Sequence, residues 1–163
     1  MKRIYLKAIS VLALVVILVL AAAQTGAQTS GQNAKSRRIE GTWLIEVTDR
    51  HCQTGAAIST IPALHTFLAG GSMLSDPAVI PAALRTGHGV WQHVGGQSFT
   101  NTIVLFRFNP ANGTYAGTVT IRRDIELGEN SDEITSTDTA EAADPNGNVI
   151  ETRCATTIGR RLE

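Results

Sequence analysis

The densest group of side chains able to do chemistry lies in GHGVWQHVGG, residues 87–96, where His88, Trp91 and His93 stand among glycines. Two histidines hold a metal or move protons together only if both reach one point. His88 and His93 are an odd number of residues apart, so a regular strand sends them to opposite faces. The stretch therefore reads as the wall of a sheet. Other chemistry is sparse. There is no G-x-S-x-G elbow to present a serine nucleophile, and the four histidines are scattered rather than grouped as zinc ligands. A single inward histidine, His65 or His93, is enough in principle to ligate haem, but nothing else in the chain asks for that cofactor. Asp49, Arg50 and His51 adjoin each other and offer either a polar ligand contact or a solvated, salt-bridged turn. No catalytic residue, metal or cofactor is assigned from these patterns.

The elements that would position these groups are strands. From Gly41 onward apolar and polar residues tend to alternate, threonine, valine and isoleucine are frequent, and no long 3.6-residue stripe occurs. The segments are 41–49, 61–69, 72–76, 88–94, 98–108, 114–126, 132–143 and 149–158. Between them lie Gly70-Gly71, Gly95-Gly96, NPANG (109–113), LGENSD (127–132) and DPNGN (144–148), whose glycine, asparagine and proline suit hairpin turns. Eight meandering strands leave two open edges unless the sheet closes, so an all-β, up-and-down antiparallel barrel is expected, with an open sandwich as its competitor. Connections then alternate between the two ends. Both long ones, 50–60 and 77–87, fall at the same end, which marks a mouth. PAVIPAALR (77–85) is a candidate lid helix there.

Register follows from the turns. If NPANG pairs Asn109 with Thr114, then Phe108 faces Tyr115, Phe106 faces Gly117 and Val104 faces Val119. That face collects the larger apolar groups and is expected to point inward. Carried through Gly95-Gly96, the same register turns Trp91, His93 and Gly89 inward. The TFLAGGSML turn puts His65 beside Phe67. His65, Phe67, Trp91, His93, Phe106 and Tyr115 thus emerge as candidate ligand-binding residues around an interior either hollow or packed solid.

The ends of the chain bound its setting. Lys2, Arg3 and Lys7 precede an apolar run that closes on Ala21-Ala22-Ala23, the arrangement of a secretory signal peptide over residues 1–23. The run is short for a membrane anchor, and no stable span is expected after cleavage. Residues 24–40 are polar and read as a flexible leader, leaving 41–163 as one domain. Basic and acidic residues balance at 14 each. Loss of the signal peptide removes three positive charges, so no basic stripe remains for nucleic acid. Cys52 and Cys154 are the only cysteines, and export favours their pairing over two free thiols.

Gly41-Thr42-Trp43 at the start of the first strand resembles the G-x-W signature of lipocalins and other calycin barrels. In that family the tryptophan packs across the closed end near a late arginine, a part Arg160 or Arg161 could take. The family's T-D-Y motif is lacking, since Thr137-Asp138-Thr139 has no aromatic residue. ALHTFLAGG, GHGVWQ and FRFNPANGTYAGT also resemble uncharacterised exported bacterial lipocalin-like proteins. That resemblance carries no known activity; the inward aromatic residues and the two long loops at one end instead point to an exported barrel that binds a small, largely apolar molecule. A cyclase or isomerase using the same cavity, and a packed structural or interaction protein, are the other two expectations. The oligomeric state is not readable.

Overall fold

A computed structural model describes residues 38–79 and 83–162. The segments expected to be a signal peptide (1–23) and most of a flexible leader (24–40) lie outside the described residues. Eight antiparallel strands follow one another in order and close on themselves: β1 (Gly41–Arg50), β2 (Ala57–Phe67), β3 (Ser72–Pro77), β4 (Gly87–Gly95), β5 (Ser98–Phe108), β6 (Tyr115–Leu127), β7 (Glu133–Ala143) and β8 (Val149–Arg161). Closure is made by β1 and β8, which pair from Trp43↔Arg161 to Arg50↔Cys154. It leaves no unpaired edge. The sandwich alternative is thereby excluded.

The Cys52–Cys154 disulfide spans 102 residues with a Cα–Cα distance of 5.1 Å and ties the β1–β2 loop to β8. On the outer face, threonines oppose one another across strands, as in Thr42–Thr66 and Thr48–Thr60, whose hydroxyls hydrogen-bond at 3.2 and 3.0 Å. Such pairs suit a pleated, solvated surface. Among the described residues no helix is long and apolar enough to cross a membrane.

Two bulges decide which side chains enter the barrel. Phe108 pairs with Tyr115 as the turn implies, but the next pair is Arg107↔Gly117, so the register slips by one residue. Gly117 takes φ +108°, and a Cβ there would collide with the Ala143 carbonyl oxygen. This is a position for glycine alone. As a result Phe99, Asn101, Ile103, Leu105 and Arg107 face inward on β5, while Phe106 and Tyr115 lie outside at 55% and 47% exposure. Their expected inward orientation is corrected, and so is that of Val104. The second slip, between His93 and Gly95, sets Trp91 opposite Asn101 and His93 opposite Phe99, so that both point inward.

Bare backbone lies under large side chains on β4. A Cβ on Gly87 would come within 2.7 Å of Ile103 and 2.8 Å of Leu105, so these side chains lie over the glycine. The lid helix expected over 77–85 is absent from its described part: Pro77 ends β3, and Leu84 forms an antiparallel bridge to Arg107. Residues 80–82 lie outside the described residues.

The closed end is plugged by large apolar side chains. Ile39, Trp43, Phe67, Met73, Trp91 and Phe99 are buried together with Ile125, Leu127 and Ile134. Trp43 donates its indole N–H to the Ile39 carbonyl at 2.9 Å, and the Arg161 guanidinium stacks over its ring at 4.3 Å. Arg161 also donates to the carbonyls of Glu40, Arg38 and Ser131, pinning the segment before β1 beneath the barrel. Of the two late arginines, Arg161 takes the expected place beside the tryptophan.

Candidate ligand-binding cavity

Above the plug the inward side chains change from large to small, and the barrel becomes hollow. A cavity of about 450 Å³ opens among Val47, Ile61, Ala63, Leu105, Val119, Ile121, Ala140 and Ala142. Val79, Ala83 and Leu84 from the β3–β4 connection cover part of its side. The expectations of a hollow and of a packed interior are each met in one half of the barrel. The size and the apolar lining are those of a small-molecule site.

A buried polar layer separates cavity from plug. Asn101, Arg123 and Asp138 lie in one cross-strand row, Asn101↔Arg123↔Asp138. The Arg123 Nε–H donates to Asp138 Oδ2 at 2.8 Å, with both side chains almost fully enclosed. The carboxylate also accepts from Ser136 Oγ at 2.6 Å and from Thr157 Oγ1 at 2.8 Å. A buried ion pair survives desolvation when its remaining lone pairs are satisfied in this way. Arg123 reaches across the interior from β6 to β2, where Nη1 lies 3.0 Å from His65 Nε2.

A guanidinium can only donate, and Nη1 lies 3.0 Å from Nε2 and 3.4 Å from Nδ1, so the nearer Nε2 is assigned the accepting lone pair and Nδ1 the ring proton. Burial first, and then the charge of Arg123, holds His65 well below its ordinary pKa of 6.5. The ring is therefore neutral, with its lone pair engaged. His65, Ser75 and Arg123 present this layer to the cavity.

The mouth is charged. Arg153 donates through Nε to Glu151 at 2.7 Å and through Nη1 to Asp49 at 3.4 Å. The Glu151 hydrogen bond, reinforced by both carboxylate charges, raises the Arg153 pKa further. Across the opening, Arg107 reaches the Ala143 carbonyl at 3.5 Å. Phe108, under the Arg85 guanidinium at 5.5 Å, adds an aromatic edge. Asp49 and Arg50 do not act together, for Arg50 turns outward to Thr156 Oγ1 and to the Gly55 carbonyl.

The residues expected to bind ligand are thus divided. His65 lies on the cavity floor. Phe67 and Trp91 face inward but belong to the plug, their rings 6.1 Å apart and edge-on. His93 packs against Phe99 at 5.0 Å near the closed end, where Nε2 meets the Gly96 carbonyl at 3.0 Å. It shares a chain of ring contacts with His65 through Phe67, Trp91 and Phe99, but no open space. Phe106 and Tyr115 contact each other on the outer surface.

Not anticipated from the sequence were Ser75, Arg107, Arg123 and, of the rim cluster, Glu151 and Arg153; Asp49 was. Alternation along β6 does place Arg123 on the face of Val119 and Ile121, an inward charge that the composition of protein interiors argues against. Among the described residues no group of three metal-binding side chains is assembled. Comparison with known proteins finds no matching family model, no matching curated protein and no matching solved structure.

Proposed function

We propose that the chain is an exported, lipocalin-like barrel that binds a small, largely apolar molecule in its open half. The observation that carries this reading is the cavity of about 450 Å³ with aliphatic walls, a polar floor and a charged mouth. Export is supported by the basic start and apolar run of residues 1–23, and by a disulfide suited to an oxidising compartment. A cyclase or isomerase reading finds less support, because the lone pair His65 would need as a general base is directed at Arg123.

The test is displacement of an environment-sensitive apolar dye, together with native mass spectrometry of protein recovered from an exporting host. Wild type should bind the dye, and the Ala140→Phe variant, which fills the cavity, should lose it while keeping its thermal stability. Equal dye binding by both proteins would refute the site.

A further inference from the structure

Resting on the carrier reading, the charge balance of the cavity floor specifies the ligand further. Arg123 is the one cation at that depth among the described residues, and Asp138 already neutralises it at 2.8 Å with both side chains enclosed. An incoming carboxylate would leave this layer with an uncompensated negative charge, and an ammonium would meet Arg123 directly. Either ion would be desolvated without a free counter-charge.

Hydrogen-bonding capacity does remain. Arg123 spends Nε on Asp138 and Nη1 on His65, while Nη2 and the Ser75 hydroxyl have no partner among the described residues. The enclosed polar side-chain atoms without a partner belong to Asn101, so these two groups are unpaired without being sealed, on residues that line the cavity. They suit an uncharged oxygen. At the mouth Arg107 has no carboxylate partner among the described residues and reaches only the Ala143 carbonyl at 3.5 Å, so an acidic group is better placed there, in contact with water.

We infer that the cavity selects an apolar molecule whose inner end carries a neutral hydroxyl or carbonyl oxygen, received by Arg123 and Ser75, and that it turns any acidic group outward to Arg107.

Decanol, decanoate and decylamine, matched in chain length, separate the possibilities when each displaces the dye from the intact barrel near neutral pH. Decanol should bind at least tenfold more tightly than decylamine, and Ser75→Ala should weaken decanol about fivefold, the loss expected for one hydrogen bond. Decanoate binding weakened by Arg107→Gln and indifferent to Ser75→Ala would support the outward acid. Decanoate weakened by Ser75→Ala and indifferent to Arg107→Gln would overturn the inference, as would equal affinity for all three, and in both cases the carrier would stand. A barrel that binds neither dye nor any of the three removes the carrier and the inference together.

Discussion

Replacing Asp138 by asparagine tests the polar layer most directly. The carboxylate accepts from Arg123, Ser136 and Thr157 at 2.6–2.8 Å, and its side chain is 2% exposed. Asparagine keeps the shape but offers one acceptor oxygen, turns an amide donor toward other donors and leaves Arg123 without its counter-charge. Breaking a buried pair from one side costs about 3–5 kcal/mol. With a urea m-value of about 2 kcal/mol/M, the denaturation midpoint should fall by roughly 2 M. Fluorescence of Trp43 and Trp91, both in the plug, reports the transition. The double variant Arg123→Met/Asp138→Leu removes both charges and should recover part of the loss, since the groups it leaves without partners, the Ser136 and Thr157 hydroxyls and a His65 ring nitrogen, are neutral and each costs less than an orphaned guanidinium. A loss below about 1 kcal/mol in Asp138→Asn would mean that water screens the pair, as at an exposed surface. A double variant no better than the single one would assign the stability to the hydroxyl bonds rather than to the charges.

Opening the Cys52–Cys154 bridge by serine at both positions frees a span of 102 residues. The chain-entropy relation then allows a loss of up to about 4.7 kcal/mol; a urea curve shifted by less than about 1 kcal/mol would show that β1–β8 pairing already constrains the ends. His65 is neutral in the fold because its pKa is lowered, so its contribution is complete above the unfolded value near 6.5 and declines as pH falls below it. Wild-type stability should drop below that pH with a slope of up to about 1.4 kcal/mol per pH unit from this group, and His65→Gln should flatten the drop; parallel profiles would contradict the assignment. Asn101 is 4% exposed, and neither amide atom has a partner among the described residues. Asn101→Leu, which keeps the branched heavy-atom shape without polar atoms, should raise stability by about 1–3 kcal/mol, and a lower melting temperature would count against the orphaned state as the controlling cost.

The barrel was legible because its turns are spelled in glycine, asparagine and proline, and because β1 to β8 alternate well enough to set eight boundaries within a few residues. Inward faces were legible only where no bulge intervened. The register drawn from NPANG placed the even-numbered residues of β5 inside, whereas Phe99, Ile103 and Leu105 are the buried set. A second slip, at Gly95, offset the first, so Trp91 and His93 were placed on the correct face from a pairing one residue out. Gly117 carried the signal that would have resolved this, since a lone glycine within a strand often marks a bulge. The ion pair was harder to find. Arg123 and Asp138 each sit at an inward position, but only their opposition across β6 and β7 makes burial of either tolerable, and that depends on the register of two strands at once.

The division of the interior into plug, polar layer and cavity follows from side-chain volume along the axis. Tryptophan, phenylalanine and methionine fill the end carrying Trp43, whereas Ala63, Ala140 and Ala142 leave the other end hollow. Close packing and cation–π stacking therefore stabilise one half, and the other forgoes dispersion contacts across its void. The Arg123–Asp138–His65 layer serves both, closing the plug with a hydrogen-bonded ion pair and giving the cavity a neutral, donor-rich floor. Substitutions on the alanine walls should then alter ligand size and affinity with little effect on folding. Substitutions in the polar layer should alter both together, and this coupling distinguishes a floor built into the core from polar groups merely exposed in a pocket.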